Sequence, residues 1–558
     1  MSKVYGIDLG TTYSEIATLN KEGKAECLCF VAEGEDKLAS VVYFATNGNV
    51  VVGKEAKNML ADEVGKDRVV RNVKRLIGEL HQCKNEEGDE NVVERIDSWV
   101  FDGEHYDPIN ISSLILKRIK EDMSQQGYLV EDVVITIPAH FQISSQNATR
   151  QAGEIAGLNV LNMIPEPTAA AIHYCSREYP ANKNIMVFDL GGGTFDIALL
   201  DFCVSENDTA IIKIKATKGD KNLGGIDWDT RLRDCLLDKY AETKSITKQE
   251  IDNSMRIRIE DQVERLKKTL SQTETTGFSI DKIRLEITRA EFESKTTDLV
   301  NRSMNFVDKI LEETDNTADS VDLVLLVGGS TKMPMIKNAL KEHFPEEKIR
   351  FHYPDYAVAL GAALYASNQS KQNDEMNVVS SSNGKHIELY DILNNSFGPG
   401  VFYKDKFVLH NLVFCGDKNP TEVSHEYFTK YDNQETVSVD IFQNEYKDRS
   451  YPYLTPCRDE HGNDQDTVPE YKVKYLSTVS VGLPEKTPKG SPVIVKIVLS
   501  ARGLDASVTY PLTKETKSIF VDLSGGKTKS EMENEIVRFK LKQTSGYDNT
   551  AGYSKTES

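Results

Sequence analysis

Residues 187–196 read VFDLGGGTFD. An apolar run leads into three consecutive glycines, and an aspartate stands near each end. A strand, a glycine turn and a second strand make a hairpin whose tip bares backbone N–H groups. Such tips bind anions, and glycine lets phosphate oxygens approach without a Cβ clash. The same phrase occurs at 7–12, IDLGTT: an apolar run, then Asp-Leu-Gly and hydroxyl side chains. One copy alone reads as readily as a plain glycine-rich turn. Two copies about 180 residues apart imply a duplicated lobe, with two hairpins facing across one cleft. There the Thr11, Thr12 and Thr194 hydroxyls can bond phosphates or water. Asp8, Asp189 and Asp196 are hard oxygen ligands suited to Mg2+, usually through waters.

The chain has 558 residues, too many for one core, so several domains are expected. Its formal net charge of −20 argues against nonspecific nucleic-acid binding and against docking on an anionic membrane. No apolar run approaches a membrane span. MSKVYGIDLG enters a strand almost at once, which leaves no room for a signal peptide and points to the cytoplasm. The eight cysteines are scattered, and Cys27 and Cys29 lack the second pair that a zinc site needs. They read as reduced, mostly buried thiols.

From 1 to 366 strand-like runs alternate with helical patterns, as in an α/β domain. KVYGIDL, DVVITIP, NIMVFDL and VDLVLLV are short apolar runs typical of buried strands, and SMRIRIEDQVERLKKTL has helical spacing. Residues 367–391 are mostly polar and read as a linker. From 392 to 526 short alternating strands such as TVSVDIF and PVIVKIVL make an all-β sandwich pattern. Residues 527–558 hold one short helix, with Ser530 as cap and Glu533 three residues on, and then a disordered tail. LLVGGSTKMP at 325–334 adds a third glycine turn, with a helix expected to start near Pro334. GGKT at 525–528 is no phosphate loop, because Val521 stands where its first glycine belongs. His425-Glu426 has no second histidine at metalloprotease spacing.

GIDLGTTYS, VFDLGGGTFD and LVGGSTKMP closely resemble the three signature stretches of the seventy-kilodalton heat-shock (Hsp70) chaperones. The likeness extends to VKRLIG, IPEPTAAAIHY, NLGGIDWDTR, LVNRS and PDYAVALGAA, and more loosely to HEYFTKYDNQETVSVDIFQNE. It implies an actin-like two-lobed ATPase domain of duplicated ribonuclease-H-like lobes, followed by a β-sandwich that binds peptides. The implied cofactors are ATP or ADP with Mg2+. By position, Asp8 and Asp189 would orient hydrated Mg2+, and Thr11, Thr12 and Tyr13, with Gly10 and Gly191, Gly192 and Gly193, would hold the phosphates. Lys74 would position the attacking water and stabilise charge on the transferred phosphoryl group. Glu166 and Asp196 would complete the metal and water network, and Thr194 would bond at the γ-phosphate. Glu264, Lys267, Lys268 and Ser271 would face Gly328, Gly329, Ser330 and Asp355 across the adenosine. Phe402, Val437, Val439 and Ile441 would line the peptide cradle. Without the resemblance, Lys74 reads as a surface lysine and VERLKKTLS as a charged helix face.

The chain departs from the family pattern at several points. Lys268 stands for an arginine, Pro165 for an asparagine, His140 for a tyrosine, and Gln146 for an arginine that couples the two domains. Glu388 interrupts the leucine-rich linker, Pro399 and Phe402 alter the cradle, and the helical lid is nearly absent. The resemblance implies a monomeric ATP-driven chaperone for unfolded or extended polypeptides, working with a J-domain co-chaperone and a nucleotide exchange factor. The alternative is a nucleotide-bound interaction module of the same family with weak allosteric coupling. A small-molecule kinase of the wider superfamily is disfavoured by EPTAAA and the β-rich segment.

Overall fold

The computed structural model describes residues 3–62, 65–78, 80–83, 92–95, 99–180, 182–204, 210–369, 378–380, 386–393, 395–403, 406–415, 417–419, 421–444, 446, 449, 453–454, 473–500, 503–521, 529–541 and 544–545. The chain divides into two compact units. One comprises Met1–Phe141, Ala148–Leu389 and Gly526–Ser558, and the other Gln142–Asn147 and Tyr390–Gly525.

In the first unit, β1 (Val4–Asp8) pairs antiparallel with β2 (Tyr13–Leu19) and parallel with Asp132–Ile137. Asn159–Pro165 extends the parallel side, and Ala25–Cys27 the antiparallel side. A second sheet repeats this order. Its β3 (Lys183–Leu190) pairs antiparallel with β4 (Phe195–Val204) and parallel with β5 (Leu323–Val327). Ile349–Phe351 and Ala210–Asp220 extend its two sides in the same senses. The duplication expected from IDLG and FDLGGG is thus present in strand order as well as in sequence. β5 is buried along its whole length, which explains the unbroken apolar run LVLLV. Each sheet has its own core, with Tyr5, Ile16, Phe30 and Leu114 in the first and Phe188, Phe195, Trp228 and Leu266 in the second.

Two small-residue helices lie between these layers. α1 (Glu166–Glu178) and α4 (Ala357–Gln369) meet backbone to backbone. A Cβ at Gly361 would lie 1.8 Å from the Ala169 carbonyl oxygen, and one at Gly6 2.2 Å from the Ala363 nitrogen. The alanines of EPTAAA and LGAALYA make this approach possible. Between α1 and α4 in the chain come α2 (Gly225–Lys244) and α3 (Asn253–Leu270).

α1 also carries His173, whose Nδ1 lies 3.0 Å from Nε2 of His352. Tyr353 meets both imidazoles edge-on, Tyr174 meets His352, and the Arg177 guanidinium lies over Tyr353. Burial pushes both histidines down, with Arg177 adding to it, to about 3 for His173 and about 4 for His352. The unfolded chain takes up protons below pH 6.5 and the folded pair does not, so stability falls as pH falls from 6.5. The cost is about 1.4 kcal/mol per pH unit for each histidine held neutral. The buried carboxylates described below act in the opposite sense, so the comparison is with a variant carrying leucine at 173 and 352. Its urea midpoint should gain on wild type between pH 7 and pH 5. A constant gap would contradict the assignment.

The helix expected near the C-terminus is present as α5 (Lys529–Leu541), but it starts one residue before Ser530, so that serine lies inside the first turn. Its Met532 joins the first core. Asn110 Nδ2 donates to Glu535 at 3.2 Å, and Arg538 donates to Glu104 at 2.9 Å and to the His105 carbonyl at 3.1 Å. Thr544–Ser545 then pairs parallel with Val50–Val51. Part of the segment read as a disordered tail is therefore ordered against the first core, while residues 546–558 lie outside the described residues. In the expected linker, residues 370–377 and 381–385 lie outside them too, and Val378–Ser380 pairs with His386–Glu388.

The second unit holds a five-stranded and a four-stranded antiparallel sheet that share one core. Thr436–Asn444 and Lys474–Gly482 contribute Val439, Ile441, Val479 and Val481. Pro492–Ser500 and Gly503–Tyr510 contribute Val493, Val495, Ile497, Leu504 and Val508. Period-two alternation puts Val437, Val439 and Ile441 on one face, and that face turns inward. Ile441 is fully buried and Val439 nearly so, while Val437 is half-buried against the core. Val439 and Ile441 thus pack into the core of this unit. Phe402 is 57% exposed, with Lys430 Nζ 3.6 Å from its ring centroid.

Among the described residues no helix is long and apolar enough to cross a membrane. The expectation of mostly buried cysteines is corrected. Of Cys27, Cys29, Cys175, Cys203, Cys235 and Cys415, all free, only Cys175 is buried.

Candidate functional site

The site is built where the two hairpin tips meet. Asp8 sits at the end of β1 directly opposite Glu15, and Asp189 at the end of β3 directly opposite Asp196. Each tip closes over glycine. At Gly10 a Cβ would lie 2.0 Å from the Tyr13 carbonyl oxygen, and Gly191 N donates to Thr194 O at 3.0 Å. The tips interlock, because a Cβ at Gly192 would fall 2.1 Å from Thr12 Oγ1 and one at Gly193 2.3 Å from Thr11 Cγ2. Two further glycine turns brace the second tip. Gly225 N donates to Gly191 O at 3.0 Å, Ile226 N to Gly192 O at 2.8 Å, and Ser330 Oγ to Gly191 O at 2.8 Å. Gly328, at φ 81, turns the chain out of β5, and Pro334 opens the next helix as expected.

Three buried carboxylates, Glu166, Asp189 and Asp196, gather here with the half-buried Asp8. Lys74 lies in a tight turn entered through Asn72 at φ 61, and its buried ammonium pairs with Glu166 at the first turn of α1. Pro165 precedes Glu166 with φ −59, a fixed geometry at a helix start that costs no helical hydrogen bond. Thr136 Oγ1 donates to Asp8 at 3.0 Å. Asp196 Oδ1 accepts from the Ala139 amide at 2.7 Å and from His140 Nδ1 at 3.0 Å.

The electrostatics show excess negative charge. Burial, and then Glu166, Asp196 and Asp8, raise Asp189 well above the usual carboxylate range. Burial raises Asp8 against the pull of Lys74 and Thr136. Glu166 is pushed up to about 7 by burial, with Lys74 opposing and Asp8 and Asp196 adding. Lys74 is lowered by burial, but the Glu166 and Asp8 carboxylates outweigh that and hold it protonated. A divalent cation would relieve the excess. Among the described residues no three His, Cys, Asp or Glu side chains converge as a direct cation site. Asp8 and Asp189 are the residues that would hold Mg2+, which often keeps several of its waters. The Thr12 hydroxyl, buried with no partner among the described residues, fits a phosphate oxygen. The residues thus fit a magnesium nucleotide.

The remaining expected residues form three smaller groups. Glu264 accepts from Lys57 at 2.5 Å, Lys268 at 2.7 Å and Tyr13 OH at 3.3 Å. Burial raises its carboxyl, but Lys57 and Lys268 more than offset this and hold it at about 2. Lys267 turns instead to Gly225 O at 2.8 Å and Asp229 at 2.9 Å, and the Ser271 hydroxyl donates back to Lys267 O. Asp355 pairs with Lys332 and, at 3.1 Å, with Lys37.

Sequence reasoning missed Arg75, whose Nε donates to Gly193 O at 2.7 Å while Nη2 meets Asp227 at 2.6 Å. Its signal was adjacency to Lys74 in VKRLIG. Lys57 and Lys37 carried no signal.

The Hsp70 protein family model matches residues 4–453, well over half of the chain. Hsp70 proteins have an ATPase domain of the actin-like fold, generally bind ATP or ADP with Mg2+, and typically act on unfolded polypeptides with J-domain and exchange-factor partners. A chain that repeats their phosphate-hairpin order in two sheets and is matched over that length belongs to the Hsp70 family.

Proposed function

We propose that this chain is an ATP-hydrolysing chaperone of the Hsp70 type, which uses the nucleotide state to control binding of unfolded or extended polypeptides. Residues 1–366 would form the two-lobed ATPase domain, 367–391 the linker, 392–526 a β-sandwich for peptides, and 527–558 a helix and tail. The chain would act as a cytoplasmic monomer with a J-domain co-chaperone and an exchange factor. The observation that carries this is the pair of interlocked glycine tips over Lys74, the buried carboxylates of Glu166, Asp189 and Asp196, and the half-buried Asp8.

Bound Mg2+ would supply positive charge against the phosphates. Asp8 and Asp189 would orient its waters. The amides at 10–13 and 192–194 would cradle the phosphates, with Thr11, Thr12 and Thr194 adding hydroxyls. Lys74, braced by Glu166, would face the transferred phosphoryl group, where charge changes most along the reaction. Glu264, Lys267, Lys268 and Ser271 would hold the nucleoside against Gly328, Gly329, Ser330 and Asp355. A second reading, a nucleotide-bound interaction module with weak coupling, draws support from the burial of Val439 and Ile441.

Thermal unfolding with and without Mg-ATP tests nucleotide binding. Ligand at about 100 times its Kd should stabilise the first unit by roughly 2.7 kcal/mol. An unmoved melting temperature at saturating Mg-ATP would remove the basis of the proposal.

A further inference from the structure

Asp196 is held by donors from one short segment. The amides of Ala139 (2.7 Å) and His140 (3.4 Å) and the Nδ1 of His140 (3.0 Å) all reach the same oxygen, Oδ1. A carboxylate oxygen accepts, so Nδ1 carries the ring proton. Oδ2 is thereby the oxygen left for water or a ligand. The ring itself has little freedom. A Cβ at Gly219 would lie 2.5 Å from Nδ1, and Phe141 meets the imidazole edge-on at 5.8 Å. Its Nε2 is buried with no partner among the described residues, so Nδ1 makes the polar contact that sets the ring's place. Two amides on one oxygen leave a carboxylate able to rock about that oxygen. A third donor on a packed ring stops it.

We propose that His140 is a positioning residue for ATP hydrolysis, locking the Asp196 carboxylate so that Oδ2 meets the water that attacks the terminal phosphate. This rests on the ATPase reading above. Asp196 is 1% exposed and stands directly opposite Asp189, so its free oxygen lies beside the residues that would hold the metal's waters. A carboxylate displaced by about 1 Å from its water costs of the order of 100-fold in rate without loosening the bound substrate.

Two substitutions separate the ring nitrogens. In His140→Asn the amide nitrogen falls near Nδ1 and can still donate to Asp196. In His140→Gln it falls near Nε2 and cannot. Single-turnover ATP hydrolysis and Mg-ATP affinity are measured on the whole chain for wild type and both variants. The expected result is a roughly 10- to 100-fold slower step in His140→Gln with affinity within about threefold of wild type, and near-wild-type turnover in His140→Asn. Should His140→Gln fail to fold, His140→Ala takes its place with the same expectation. Wild-type turnover in His140→Gln, equal losses in the Asn and Gln variants, or a rate loss matched by an affinity loss would each overturn the proposal while leaving the ATPase reading intact. A wild-type chain that binds but does not hydrolyse ATP would overturn both.

Discussion

Lys74→Ala is expected to slow ATP hydrolysis by about 10²–10³ while Mg-ATP affinity changes less than about tenfold. Lys74 is buried and paired with Glu166, and the Asp8 carboxylate adds to the field that keeps it charged. A fixed ammonium in a site shielded from water stabilises charge that develops in the transition state far more than it would in solvent. Ground-state binding rests on other groups, namely the amides of the two tips, the carboxylates that hold Mg2+ through waters, and the nucleoside side. Removal of the lysine also strips a buried carboxylate of its partner, so the apo chain should melt earlier. Mg2+ should restore part of that loss. Single-turnover rates beside titration calorimetry separate the effects. Unchanged turnover, or rate and affinity falling together, would contradict the role.

Gly224→Ala should weaken Mg-ATP binding by at least about 100-fold, because it forces two glycine turns apart. The φ of Gly224 is −170, extended backbone open to any residue, so conformation is not the obstacle. Space is. A Cβ there would lie 2.5 Å from the Gly193 carbonyl carbon and 2.6 Å from its Cα. Both atoms are backbone and cannot swing aside. Relief requires the 224–226 segment to lift off the tip, breaking the bonds from Gly225 N to Gly191 O and from Ile226 N to Gly192 O. The phosphate cradle then loses its shape. Gly482→Ala is the control, since a Cβ there meets nothing within 4 Å. Calorimetry showing wild-type affinity in Gly224→Ala would contradict the interlocked-tip geometry.

The parts legible in the sequence are those whose physics is local. Asp-Leu-Gly after an apolar run specifies a strand and a bare turn, and both copies lie where expected, with the two sheets repeating one strand order. Lys74 and Glu166 were named only through VKRLIG and EPTAAA, because a buried ion pair between residues 92 apart has no spacing signature. Arg75, Lys57 and Lys37 act through tertiary contacts alone, and an isolated lysine in a sequence looks like a solvated surface residue. The reach of α5 back to Asn110 and Glu104 was hidden for the same reason, and a two-residue parallel pairing at Thr544–Ser545 has no pattern to detect. At Val437, Val439 and Ile441, alternation fixed which residues share a face. It could not say whether that face lines a groove or a core, and the structure puts it toward the core.

The most direct measurement is single-turnover ATP hydrolysis by the whole chain, with and without an unfolded model peptide. The expected result is slow, Mg2+-dependent conversion of bound ATP to ADP that peptide accelerates. Turnover indifferent to peptide would favour the weakly coupled interaction module, and bound ATP that stays intact in the presence of Mg2+ and peptide would contradict the central claim.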